Sequence, residues 1–221
     1  DVDYVFTNYY EVNDVTGALN PVTFPGIRKE EKMPFEMIAN ETRISMHSLV
    51  LKTSILKENQ IRLDEHCFYV DVEYILYPIP YVQSVIYFDI FVYMYRLAQV
   101  NQSVSMLGYQ KHMQNHIDVI LHVLDYINAY KEKDDCDQLK EVYMERRIAE
   151  MTHNQVDVFT SFPVGDKEIQ RKFKEFDAEV KAKSPYVYEK SGEFSGMLRL
   201  LRKTGFRCYS LIVRMSKVRN R

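Results

Sequence analysis

The sequence predicts an α+β fold: an antiparallel β-sheet mainly from the N-terminal half plus a C-terminal strand, packed with three main helices from the middle of the chain. Three observations predict it. Apolar residues alternate at period two through much of residues 1–100, recur at helical spacing from about Ser105, and alternate again over Phe206–Val213. With 221 residues, 46% apolar and 27% charged, the chain can bury a substantial core. No repeat, low-complexity tract or linker demands a boundary. One domain over 1–221 is therefore expected, with a basic C-terminal segment at 194–221.

The elements follow in order. A short strand spans about Tyr4 to Val12, then turn signals at Thr16–Gly17, Asn20–Pro21 and Phe24–Pro25–Gly26 mark irregular chain. Residues 43–56 alternate loosely through Ile44, Met46 and Val50 and read as a second strand. The aromatic run Val72–Tyr95 is too interrupted for a membrane span, since Glu73, Asp89, Pro78 and Pro80 lie within it. At period two it becomes a hairpin. Phe68, Val70, Val72, Tyr74 and Leu76 line one strand, and Val82, Ile86, Phe88, Ile90, Val92 and Met94 line the next. The prolines mark the reversal.

Helical spacing then takes over. Met106, Met113, Ile117, Ile120, Leu124 and Ile127 make one stripe, and a less regular helix covers about Gln138–Met151. A third covers Lys167–Lys183, with Asp166 as cap, Ile169, Phe173, Phe176 and Val180 as its stripe, and Ser184–Pro185 as its stop. Acid-first pairs on it are Glu168/Lys172, Asp177/Lys181 and Glu179/Lys183. A short helix at Gly196–Lys203 precedes the final strand, Phe206–Val213.

Function is less legible than fold. Glycine is scarce, at seven residues, and no GxxxxGK[ST], GxGxxG, CxxC or GxSxG pattern occurs. That lowers the expectation of a nucleotide-handling enzyme, and no catalytic residues are assigned. Cys67, Cys136 and Cys208 are odd in number and far apart. A disulfide framework is therefore not expected, and a reducing, intracellular setting (cytoplasmic or nuclear) is. No cofactor is implied.

Two side-chain constellations compete for chemistry. His112 and His116, at i and i+4, form half of a metal site, and a metal-dependent hydrolase or transferase would use them. The Glu of HExxH is absent, so two histidines packing at a helix boundary is the plainer reading. On the second predicted strand of the hairpin, Tyr87, Phe91, Tyr93 and Tyr95 share a face. They are either a covered sheet or a partner surface.

One feature does not average out. Residues 1–100 hold 8 basic against 14 acidic side chains and 101–193 hold 13 against 17, but no acid follows Glu193. Arg199, Arg202, Lys203, Arg207, Arg214, Lys217, Arg219 and Arg221 all lie beyond it. Such segregation is the footprint of a polyanion reader, and arginine's planar fork suits phosphate. The sequence thus predicts a non-catalytic structural or assembly protein that joins a larger complex, with a protein partner or its own copies, and binds RNA or DNA through these residues. The alternatives are internal pairing of these arginines with the acidic body, a protein–protein module, and an anionic membrane surface engaged by the basic segment with Met197, Leu198, Leu200 and Leu201.

Overall fold

The computed structural model describes residues 1–219 other than Glu41, Val100 and Asn101; the side chains of Val218 and Arg219 are also outside the description. The fold is mixed α/β, about 52% helical and 16% strand, with ten helices among the described residues. Two compact units result: Asp1–Ser105 with Lys133–Tyr143, and Met106–Glu132 with Met144–Arg221.

The first unit is built around β1 (Tyr4–Asn13), which has a neighbour on each edge. On one edge β2 (Leu19–Val22) and β4 (Leu49–Leu51) pair with it antiparallel, at opposite ends. On the other lies β5 (Ser84–Leu97), and this pair is parallel. The short β3 (Met33–Pro34) closes the start of the outer edge of β5, antiparallel. The sheet is thus mixed rather than antiparallel. The reason is the long chain between β1 and β5, which carries α1 (Glu36–Ala39), α2 (Thr53–Glu58) and α3 (Asp71–Leu76) and can return β5 in the same direction. Tyr4, Phe6, Val85 and Tyr87 form the buried centre, with Phe35, Ile38, Ile75 and Leu76 from the crossover.

Two expected strands of this unit are otherwise. Residues 43–56 give only β4 before α2 begins at Thr53. The predicted strand Phe68–Leu76 is irregular chain up to Val70 and then α3, because Val72, Ile75, Leu76 and Ile79 satisfy helical spacing as well as Phe68–Leu76 satisfies alternation. Short apolar runs carry both periods, and burial of Ile75, Leu76 and Ile79 decides between them. Pro78 and Pro80 sit in a 3-10 turn, Ile79–Tyr81, that leads into β5.

Strand β5 carries three more residues than β1 over their shared length. The register runs Tyr4↔Val85 through Thr7↔Phe88, then jumps to Asn8↔Phe91 and Tyr9↔Tyr93, ending at Asn13↔Leu97. Asp89, Ile90 and Val92 are the surplus, taken up as bulges. An odd surplus inverts the alternation. Val85 and Tyr87 share a face with Tyr4 and Phe6, whereas Tyr93 and Tyr95 share one with Tyr9 and Glu11.

The second unit is helical: α4 (Met106–Lys111), α5 (Met113–Lys131), most of α6 (Gln138–Ser161), α7 (Lys167–Lys183), α8 (Pro185–Phe194), α9 (Gly196–Lys203) and α10 (Tyr209–Arg219). The expected helices at 167–183 and 196–203 are found with those bounds, and α6 extends ten residues past Met151. Phe159 stacks on Phe173 at 4.3 Å, Phe206 meets Phe173 edge-on at 5.1 Å, and the Tyr209 hydroxyl donates to Phe159 O at 2.6 Å.

The expected C-terminal strand is α10. Its buried residues, Tyr209, Ile212, Val213 and Ser216, recur at three and four, and Phe206 precedes them by three. Helix α8 arises where a stop alone was expected. Ser184 closes α7 and its hydroxyl accepts from Val187 N at 3.0 Å, capping α8 with Pro185 at the first position. The same hydroxyl donates to buried Glu145 of α6 at 2.7 Å, which also accepts from Lys131 at 2.8 Å.

Candidate functional site

The basic segment folds as two helices joined by a tight reversal. Ser195 caps α9, accepting from Leu198 N at 3.2 Å, and Leu198 and Leu201 are wholly buried. Helical geometry then turns Arg199, Leu200 and Lys203 outward. The helix ends in a Schellman turn: Phe206 N donates to Leu201 O at 2.7 Å and Gly205 N to Arg202 O at 3.1 Å. Gly205 takes the left-handed conformation at φ +57°, where a glycine is needed. Phe206 follows at φ +64°, held there by burial of its ring and by Gln170 Nε2 donating to its carbonyl at 2.8 Å.

This reversal sets Lys203 and Arg207 on either side of a shallow concavity. Lys174 of α7 lines it as well, with Thr204, Gly205 and Cys208, and the lining contains no carboxylate. Lys174, Lys203 and Arg207 are all exposed, and among the described residues none makes an ion pair. Along α10 the outward side chains are Leu211, Arg214, Met215 and Lys217, with Leu211 58% and Met215 62% exposed. Leu200 of α9 is 46% exposed as well, so both helices present aliphatic side chains among their cations.

Arg202 is not part of it. Its guanidinium is buried and grips Asp177 of α7 through Nε at 2.9 Å and Nη2 at 2.7 Å. It also donates to Tyr188 O and Ser191 Oγ, and lies 3.6 Å from the centre of the Tyr188 ring. Gly192 makes room: a Cβ there would stand 2.9 Å from Arg202 Nη1. Asp177, expected as the i,i+4 partner of Lys181, is buried, and burial holds its carboxyl above the usual range against the pull of Arg202. Arg221 lies outside the described residues, as does the Arg219 side chain.

The tyrosine face divides at the bulges. Tyr87 is core, 1% exposed, stacked on Phe6 at 5.1 Å, its hydroxyl donating to Asn8 at 2.7 Å. Phe91 stacks on Tyr10 at 4.1 Å, while Tyr93 and Tyr95 stack on His47 at 5.4 and 3.8 Å. Asp89 between them accepts from Lys29, Asn8 and Tyr87, and the Lys29 bond foremost holds its carboxyl down at about 2.

The two histidines of the metal pattern do not share a helix. His112 stands at the break between α4 and α5, and His116 lies inside α5, 2% exposed, against the edge of Tyr109 at 5.5 Å. Burial pulls the His116 imidazole down to about 4, so it is neutral near pH 7. Among the described residues, no group of three His, Cys, Asp or Glu side chains includes either one.

Lys174, Leu211 and Met215 are the surface residues that sequence reasoning missed. Lys174 hides in the charge pattern of α7, and Leu211 and Met215 become outward only once residues 209–219 are read as a helix. Cys67, Cys136 and Cys208 are free thiols. No described helix is long and apolar enough to cross a membrane. Compared with known proteins, the chain matches no family model, no curated protein and no solved structure.

Proposed function

We propose that this chain is a non-catalytic docking and assembly protein whose α9–α10 surface seats on an anionic, cytoplasm-facing membrane leaflet. The observation that carries the reading is the interleaving of exposed Leu200, Leu211 and Met215 with Arg199, Lys203, Arg207, Arg214 and Lys217. Cations without carboxylates suit any polyanion, nucleic acid included. Aliphatic side chains among them gain most from an acyl boundary, where each buried one contributes on the order of 1.5–3 kcal/mol. Each basic residue adds about 1 kcal/mol near an anionic headgroup layer. The helices lie along the surface and do not span it.

Vesicle co-sedimentation tests this directly. The whole chain should bind phosphatidylglycerol-containing vesicles and not neutral phosphatidylcholine ones. Binding should fall with salt, be lost in Lys203→Glu/Arg207→Glu, and weaken in Leu211→Ser/Met215→Ser. Fluorescence anisotropy with single-stranded RNA is the companion measurement. RNA binding without vesicle binding, indifferent to Leu211 and Met215, overturns the membrane reading in favour of nucleic acid. Binding to neither overturns a polyanion role altogether.

A further inference from the structure

The second half of β5 is a long apolar edge. Ile90, Phe91, Val92, Tyr93 and Met94 are 53, 41, 65, 47 and 57% exposed. Among the described residues, no strand pairs with the outer edge of β5 beyond the bridge between Lys29 and Tyr87. Such an edge is an open template for another strand, and proteins ordinarily blunt it with an inserted lysine or proline. Between Asp89 and Arg96 this strand has neither.

We propose that β5 pairs with β5 of a second copy of this chain, antiparallel about a two-fold axis near Val92, making a dimer with a continuous sheet. Three observations support a copy as the occupant. The ends of the run are already neutralised, Asp89 by Lys29 and Arg96 by Asp14 at 2.7 Å, so no net charge repels a copy or recruits an oppositely charged partner. The rings are held before pairing, Phe91 on Tyr10 and Tyr93 on His47, so little side-chain freedom is lost. The five side chains expose on the order of 500 Å² per copy, so they can supply up to about 1,000 Å² per pair, the size at which specific interfaces begin. Two-fold closure of one edge on itself is antiparallel and leaves no edge of β5 open.

Sedimentation velocity from low to high micromolar protein tests the pairing, beside Val92→Lys. Val92 is 65% exposed, so the variant should keep the wild-type circular dichroism and thermal midpoint. The wild type should pass from monomer to dimer, with the dissociation constant raised roughly a hundredfold in the variant by two lysines set in an apolar seam. Mixed Ile90→Cys and Met94→Cys proteins should cross-link to each other in preference to themselves, with the wild type as control for Cys67, Cys136 and Cys208. A wild type that stays monomeric throughout overturns the proposal, as does a dimer indifferent to Val92→Lys. Cross-linking of Ile90→Cys only to itself overturns the antiparallel arrangement.

Discussion

Arg202 is the cation of the basic segment that should matter for folding and not for docking. In Arg202→Met, the Asp177 carboxylate loses its bonds at 2.7 and 2.9 Å inside a site where it is only 5% exposed. Removing one partner of a buried pair leaves an uncompensated charge, at a cost of about 3–5 kcal/mol, against about 0–1 for a surface pair. The Tyr188 carbonyl is less affected, because Ser191 Oγ also donates to it at 2.9 Å. The double variant Asp177→Leu/Arg202→Met should therefore recover most of the loss, leaving roughly 1–2 kcal/mol for the other lost contacts. Urea unfolding by circular dichroism at pH 7 measures both. The sign with pH is fixed as well. Asp177 already has a folded-state value above its ordinary one. Stability linked to it is therefore full below about 3.8 and lost as pH rises through the folded value, which Arg202→Met raises further. The single variant should thus be least impaired in acid. A cost below about 1 kcal/mol, or a double variant no better than the single, would refute the buried-pair account.

His116 predicts the opposite slope. Its folded value of about 4 lies below the ordinary 6.5, so its contribution is full above 6.5 and lost as pH falls toward 4, by about 3 kcal/mol in all. Urea midpoints at pH 7 and 4.5 should lie closer together in His116→Asn than in the wild type, and equal pH dependence in both proteins would sink the idea. Asp89, held at about 2, should keep its contribution until pH falls from about 3.8 through about 2. A carbon-13 carboxyl titration should find that low midpoint, and one near 4 would mean that Lys29 does not hold it.

The long elements were legible because many residues vote on one period. The α7 stripe Ile169, Phe173, Phe176 and Val180 and its Asp166 cap leave no second reading, and β1 and β5 announce themselves by β-branched and aromatic alternation. Short segments failed where few residues vote. Phe206–Val213 carries Ile and Val, which favour strands, yet Phe206, Tyr209, Ile212 and Val213 are also one helical face. The parallel pairing of β1 and β5 was invisible, since alternation states that a strand exists and not which way its neighbour runs. The site was half legible. Charge segregation pointed to the C-terminal segment, but burial of Arg202 depends on Asp177, 25 residues earlier, a tertiary pairing that masquerades in sequence as a surface charge pattern.

The odd surplus in β5 gives that strand something like a reading frame. Before Asp89 its odd-numbered side chains look one way, and after Val92 they look the other. Substitutions at Asp89, Ile90 or Val92 leave both frames intact. Losing any one of the three makes the surplus even and merges them: five positions instead of six then separate Tyr87 from Tyr93, so uninterrupted alternation keeps Tyr93 and Tyr95 on the face of Tyr9 and His47, with Met94 and Arg96 on the other. In this stretch the count of residues, more than their identity, sets the pattern: a change of spelling leaves the break in alternation where it is, and a dropped letter lets the alternation run straight through it.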